Sequence, residues 1–252
     1  MPEALDAAWG NPGLIWLALA AFMAGLVRGF SGFGTALIYL PGAAQSLPPL
    51  WAIVTLAVMD LVGPIPNLPG AARKCFPRDL ARLLAGTLVM LPIGLLLLVR
   101  IDPDLFRYAV SVLTLGLLGV LISGWRYYGR VTSPALYGIG GASGFLGGLA
   151  GLPGPPVILF YMASPHPVSV VRANTMLFLY AFDFMVLLVL GVQSVLEPAP
   201  VLIGLLIAVP NLVGNAVGAA VFRPDAERVY KYVAYAIIAA SAFSGLPVWD
   251  RF

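Results

Sequence analysis

Long apolar runs alternate with short polar turns along the whole chain. Eight such runs can be marked, at positions 12–40, 49–68, 80–99, 106–125, 134–162, 168–194, 199–221 and 229–247. Each is near or above the ~20 residues with which an α-helix crosses a bilayer. None has the period-two alternation of membrane strands. The pattern predicts an all-α polytopic membrane protein with about eight transmembrane segments.

The first and fifth runs are too long for one ordinary span, and each has a Gly-rich interruption. "GFSGFG" at 29–34 matches "GLAGLPGPP" at 148–156, and Gly25, Gly29 and Gly32 precede Gly144, Gly148 and Gly151 by 119 positions. Asp60 and Asp183 follow in the same order, as do "LFRYAV" and "RVYKYV". We therefore expect two pseudo-symmetric repeats of four segments, an N-terminal one at 1–130 and a C-terminal one at 131–252. Corresponding interrupted segments indicate the binding site of a transporter.

The first interruption joins flexible backbone to a charge, because Arg28 lies one turn before it. Irregular backbone at membrane depth is tolerated only where protein or a water-filled cavity covers it. A helix that restarts there presents free N–H groups and the positive end of its dipole, which favour an anion. We expect two broken helices whose restarting ends form an electropositive pocket.

Composition narrows the function classes further. Apolar residues make up 60% of the chain, charged residues 10%, and the mean hydropathy is +0.95. The net charge of +3 comes from few residues, mostly in loops, so nucleic-acid binding is not expected. The single cysteine, Cys75, and the single histidine, His166, argue against a metal or redox centre and against any cofactor. No cleaved signal peptide is expected, because the N-terminus has no basic region.

Loop cations give an inconsistent orientation when all eight runs are counted as crossings. The cluster at Arg73, Lys74, Arg78 and Arg82 and the pair Arg126 and Arg130 belong in the cytoplasm by the positive-inside rule. Arg223, Arg228 and Lys231 would then lie outside. Either one segment is re-entrant, or the neighbouring acids Asp225 and Glu227 reduce the effect of these three cations on the orientation.

Three stretches, "GLVRGFSGFGTALIYLP", "GASGFLGGLAGLPGPPVILFY" and "VVRANTMLF", resemble the signature repeats of the sulfite exporter TauE/SafE family. The resemblance implies a multi-pass protein of the cell inner membrane that transports sulfite, sulfonates and similar anions. By this resemblance, the expected site residues are Gly29, Gly32, Gly34, Gly148, Gly151, Gly154, Pro155, Pro156, Arg172 and Asn174. Arg28 departs from the family pattern, and an added cation there favours a larger or more highly charged anion.

The predicted site combines these positions with the polar residues of the first break. The predicted substrate-binding residues are Arg28, Gly29, Ser31, Gly32, Phe33, Gly34, Thr35, Gly148, Gly151, Gly154, Pro155, Arg172 and Asn174. Arg28 either binds the anion or pairs with Asp60 or Asp183, since a charge at the bilayer centre costs roughly 2.5–3.5 kcal/mol. Asp60 and Asp183 are candidate proton-coupling residues or structural partners.

The resulting hypothesis is a secondary transporter of small sulfur-containing or organic anions that works by alternating access, with proton coupling as an option. Its partners are the anion and the lipid bilayer, and a homodimer is compatible with the sequence. A passive anion channel is an alternative. An intramembrane serine protease is a weaker one, because "GFSG" and "GASG" lack a histidine at membrane depth. We therefore do not expect an enzyme, and no catalytic residue is assigned.

Overall fold

The computed structural model of the chain describes residues 13–31, 34–65, 68–123, 132–162, 166–221 and 227–248. In these ranges the regular structure is helical. The helices are α1 Leu14–Ser31, α2 Thr35–Ala43, α3 Pro49–Val62, α4 Leu68–Lys74, α5 Pro77–Leu98, α6 Pro103–Ser123, α7 Ser133–Ala150, α8 Gly154–Met162, α9 Val168–Val192, α10 Pro198–Val221 and α11 Glu227–Gly245.

The apolar runs correspond to helices that are suited to a bilayer. Among the described residues, four helical stretches are long and apolar enough to cross a membrane: Pro77–Leu98, Pro103–Ser123, Ser169–Val192 and Pro198–Val221. Leu14–Gly29, Pro49–Val62 and Tyr232–Gly245 are apolar but shorter. The all-α membrane class is therefore confirmed at this level, while the count of eight spans stays a prediction.

The helices group into two compact units that do not follow the order of the chain. Unit 1 comprises Met1–Gly63, Ile101–Gly119 and Leu196–Phe252, and unit 2 comprises Pro64–Arg100 and Val120–Val195. Each unit thus takes helices from both of the halves expected from the sequence. The division into repeats at 1–130 and 131–252 stays a prediction.

In unit 1, α1 and α2 lie side by side in opposite directions. A Cβ on Gly34 would lie 3.8 Å from Val27 in α1, and one on Gly42 would lie 3.5 Å from Ala20. The chain therefore returns along the helix from which it came. Gly34 precedes the first residue of α2 with a φ of 101°, a left-handed conformation that glycine adopts without strain. We name this pair the first hairpin.

In unit 2, α7 and α8 form a second hairpin of the same kind. Leu136, near the start of α7, packs with Val157, Phe160 and Tyr161 of α8 in one buried cluster. The end of α8 and the beginning of α7 therefore share one buried cluster. Gly151 ends α7 with a φ of 68°, so a left-handed glycine serves the turn here as well.

The first helix of each hairpin packs closely against one long helix. In unit 1, a Cβ on Gly25 of α1 would overlap the carbonyl oxygen of Asn211 in α10. In unit 2, a Cβ on Gly144 of α7 would lie 2.6 Å from the carbonyl oxygen of Thr87 in α5. Small residues allow membrane helices to approach in this way.

One side-chain hydrogen bond fixes each of these pairs. Asn211 donates to the carbonyl of Ala21 at 3.0 Å, and Thr87 donates to the carbonyl of Gly140 at 2.9 Å. Ala21 and Gly140 have the same spacing in the chain as Gly25 and Gly144. The two hairpins are therefore held by bonds at corresponding positions.

Candidate functional site

The turn of the first hairpin carries a buried ion pair. Arg28 of α1 donates from Nη1 to Oδ1 of Asp60 in α3 at 2.7 Å, and from the same nitrogen to Oγ1 of Thr35 at 3.3 Å. Both charged side chains are only 13% exposed. Three helices of unit 1 thus contribute one residue each to a polar cluster, which we name the Arg28 cluster.

Helix ends explain why these charges are tolerated there. Arg28 lies in the last turn of α1, where the negative end of the helix dipole stabilises a cation. Asp60 lies near the end of α3, where the dipole disfavours an ionised carboxylate, so its charge depends on Arg28. Thr35 is the first residue of α2, whose amino end favours an anion. The cluster therefore joins a cation, a carboxylate and an anion-favouring helix end.

The other predicted residues of the first break have different surroundings. Gly29 packs against α10, where a Cβ would overlap the carbonyl oxygen of Asn215. Gly34 forms the turn itself. Gly32, Phe33 and the side chain of Ser31 lie outside the described residues.

The turn of the second hairpin is apolar and tightly filled. A Cβ on Gly147 would overlap the ring of Phe182, and one on Gly148 would lie 2.7 Å from the carbonyl oxygen of Leu91. Gly147 has the position in the second copy that Arg28 has in the first, by the spacing of the glycines. An aromatic ring therefore fills the place where a matching cation would lie.

The remaining predicted residues of this turn differ in how deeply they are buried. Gly151 and Gly154 are buried, whereas Pro155 and Pro156 are half-buried in the first turn of α8. Asp183 follows Phe182 in α9 and is also buried. The turn therefore combines close backbone packing with the ring of Phe182, and Asp183 is buried next in the chain on α9.

Arg172 and Asn174 lie close together in the sequence of α9 but differ in their surroundings. Arg172 is exposed, whereas Asn174 is fully buried. The amide of Asn174 accepts from the backbone N–H of Phe76 at 2.8 Å and donates to the hydroxyl of Tyr161 at 2.6 Å. Asn174 thus ties the start of α5 to the end of α8, so it is a positioning residue within unit 2.

His166 is half-buried just before α9. Its Nε2 lies 3.2 Å from Oδ2 of Asp79, which also pairs with Arg82.

The hydroxyl of Ser143 in "GASG" is buried and has no hydrogen-bond partner among the described residues. A hydrogen bond from this serine to a base is thus not among the contacts of the described residues.

Comparison with known proteins yields one family. The family model for the sulfite exporter TauE/SafE matches residues 17–244. That range contains the Arg28 cluster and the turns of both hairpins. No curated protein and no solved structure matches the chain.

Proposed function

The chain belongs to the sulfite exporter TauE/SafE family, and from that premise we propose a secondary transporter of small sulfur-containing or organic anions that uses alternating access in the inner membrane. Sulfite and sulfonates are the substrate class that the family suggests. The observation that carries the proposal is the buried Arg28 cluster at the turn of the first hairpin. A transporter family also agrees with the expectation that the protein is not an enzyme.

Arg28 is the proposed anion ligand. Its two hydrogen bonds in the cluster both come from Nη1, whereas a guanidinium has five N–H groups in a planar fork. That fork fits two oxygens of one sulfonate, sulfite or carboxylate group. The amino end of α2 begins at Thr35 and adds favourable potential on the same side of the turn.

Asp60 is the proposed proton-exchanging residue. Its carboxylate and the substrate would compete for the same guanidinium, since each is an oxyanion. When Asp60 takes up a proton, its bond to Arg28 weakens and the cation becomes available to the substrate. One anion bound is then balanced by one proton gained. Asp183 is proposed as a second exchanging group, buried in unit 2.

The second turn is proposed to contribute backbone rather than charge. Gly148, Gly151 and Gly154 keep the chain narrow there, and Pro155 sets the first turn of α8. Asn174 would act by holding α5 and α8, and Arg172 by attracting anions from its exposed position.

We further propose that both hairpins are re-entrant, so that each begins and ends on one face of the membrane. The support is the antiparallel packing of the two helices in each hairpin. The six remaining apolar helices would then cross the membrane: α3, α5, α6, α9, α10 and α11. Three of these helices, α3, α5 and α6, come between the two hairpins in the chain, and an odd number of crossings between corresponding segments is what inverted repeats require.

This topology removes the inconsistency in the loop cations. The second hairpin no longer changes the face of the chain, so α9 starts on the same side as α5. All of the following cations then fall on one side, the cytoplasmic one by the positive-inside rule: Arg73, Lys74, Arg78, Arg82, Arg126, Arg130, Arg172, Arg223, Arg228 and Lys231.

Flux measurements in proteoliposomes test the transporter against the channel. Wild-type protein should accumulate sulfite or a sulfonate against its own gradient when a proton gradient is imposed. Asp60→Asn should lose this accumulation but keep exchange of labelled anion for unlabelled anion, because Arg28 remains. Arg28→Gln should lose both activities, whereas the control Arg82→Gln should keep both.

Two results would contradict this proposal. Flux that only follows the anion's own gradient would indicate a channel. Accumulation that survives in Asp60→Asn would remove this residue from coupling.

A further inference from the structure

One face of α6 carries two hydroxyl groups that the Arg28 cluster does not use. Ser111 and Thr114 are fully buried, and neither hydroxyl oxygen has a hydrogen-bond partner among the described residues. Arg107 lies on the same face one turn earlier, because positions 107, 111 and 114 follow the helical spacing of four and three residues. Its side chain is 11% exposed and lies 3.6 Å from Asp104.

Burying these hydroxyls opposes the stability of the fold. A buried hydroxyl without a partner costs about 1–3 kcal/mol. A serine or threonine in a helix often bonds to the carbonyl one turn earlier, but neither residue does so here. An unpaired buried group of this kind calls for a specific explanation.

The matching helix of the second half has larger side chains at these positions. The repeat that matches Arg107 with Lys231 assigns Tyr235 and Ile238 of α11 to the places of Ser111 and Thr114. Tyr235 and Ile238 are buried hydrophobic residues. The matching helix is thus filled by larger side chains, whereas α6 has two small hydroxyl side chains whose oxygens have no partner among the described residues.

The surroundings of Ser111 join α6 to two other helices of unit 1. A Cβ on Gly245 of α11 would lie 2.9 Å from the Ser111 hydroxyl oxygen and 2.7 Å from the carbonyl of Pro41 in α2. Pro41 lies toward the end of α2, and Thr35 of the Arg28 cluster begins that helix. Ser111 and the cluster are thus associated with opposite ends of one short helix, on which Thr35 and Pro41 lie about 9 Å apart along the axis at 1.5 Å per residue.

We propose that Ser111 and Thr114 line an anion entrance between α6 and the pair α2 and α11, with Arg107 at its mouth. The entrance is closed in this structure, and it opens in the state that admits a small oxyanion to the Arg28 cluster. Opening gives both hydroxyls the partners that they lack here. Thr114 lies about 16 Å along α6, halfway across a hydrocarbon core of ~30 Å. The class of ligand rests on the proposed function.

Cysteine labelling tests the entrance. Ser111→Cys, Thr114→Cys and the control Val110→Cys are made in full-length Cys75→Ser protein, since Cys75 is a free thiol. Val110 is as deeply buried on the same helix but is apolar. An anionic, membrane-impermeant sulfonatoethyl thiosulfonate should label positions 111 and 114 from outside and leave 110 unlabelled. Sulfite or a sulfonate should slow the labelling.

Arg107→Gln separates attraction of an anion from simple exposure. It should slow the anionic reagent at position 111 by about tenfold, within the range of electrostatic steering, and leave a neutral reagent of similar size unaffected. Equal labelling at 110, or no labelling at 111 and 114 by either reagent, would overturn the entrance. The neutral reagent needs no bound substrate, so its result is independent of the proposed function.

Ser111→Ala supplies a second readout. Removal of an unpaired hydroxyl should leave the thermal melting temperature unchanged or raise it, while the KM for transport rises. An unchanged KM together with unchanged melting would also overturn the entrance.

Discussion

At the scale of single residues, the structure shows which acid pairs with Arg28. The sequence indicated that a cation in an apolar run must find an anion, and it offered Asp60, Asp183 or the substrate. The structure pairs Arg28 with Asp60 at 2.7 Å. The choice between the two acids depends on which helix lies beside α1, and the sequence of α1 alone does not contain that information.

Ser111 and Thr114 show what the sequence reading missed. A signal was present, because a cation and two hydroxyls at helical spacing are unusual in an otherwise apolar span. Their importance became visible only with packing, since an exposed or bonded hydroxyl would need no explanation.

Asn174 is the converse case, a residue that the sequence analysis did select. The family resemblance selected it as a site residue, and its amide is engaged by the backbone of Phe76.

At the scale of helices, the structure shows what surrounds the glycines that the sequence analysis singled out. The spacing matched Gly25 with Gly144 and Gly29 with Gly148, and in the structure each lies against a long helix. The sequence reading assigned Gly29 and Gly148 to close approach of a ligand, and the structure gives them close approach of α10 and α5. Apolar periodicity shows which face of a helix is buried but not which helix covers it.

Substitution of Gly25 tests this close packing. Gly25→Ala should lower the free energy of unfolding in detergent by about 1–3 kcal/mol, because the new methyl group overlaps the Asn211 carbonyl. The matched control is Gly116→Ala in α6, where a Cβ would meet nothing within 4 Å. That change should be neutral or stabilising by up to about 1 kcal/mol. Equal melting temperatures for the two variants would contradict the packing.

At the scale of the whole molecule, the pattern of apolar residues did not predict the direction that the chain takes after each turn. A run such as 134–162 has the same composition whether it crosses the membrane with a break or turns back. The conflict among loop cations was the only sequence signal of a re-entrant segment. In the structure, Leu136 and Tyr161 of the second hairpin belong to one buried cluster, and this observation supports the proposed return of the chain.

Labelling from one side of the membrane tests the re-entrant topology. Gln193 is exposed in the turn between α9 and α10. In a Cys75→Ser background, Gln193→Cys should react with an impermeant thiol reagent added outside intact cells, and Lys74→Cys should react only after the cells are opened. If all eight runs crossed, both positions would lie in the cytoplasm. Protection of position 193 until the cells are opened would therefore contradict the topology.

The central claim is that Arg28 binds the transported anion. Its most direct test is a calorimetric titration of the purified protein with sulfite and with a small sulfonate, comparing wild type, Arg28→Ala and the control Arg82→Gln. The account predicts that Arg28→Ala weakens binding by at least about tenfold, as loss of a charge-assisted hydrogen bond implies, with melting temperatures that show a folded protein. Arg82→Gln should bind like wild type. Wild-type affinity in folded Arg28→Ala protein would contradict the claim.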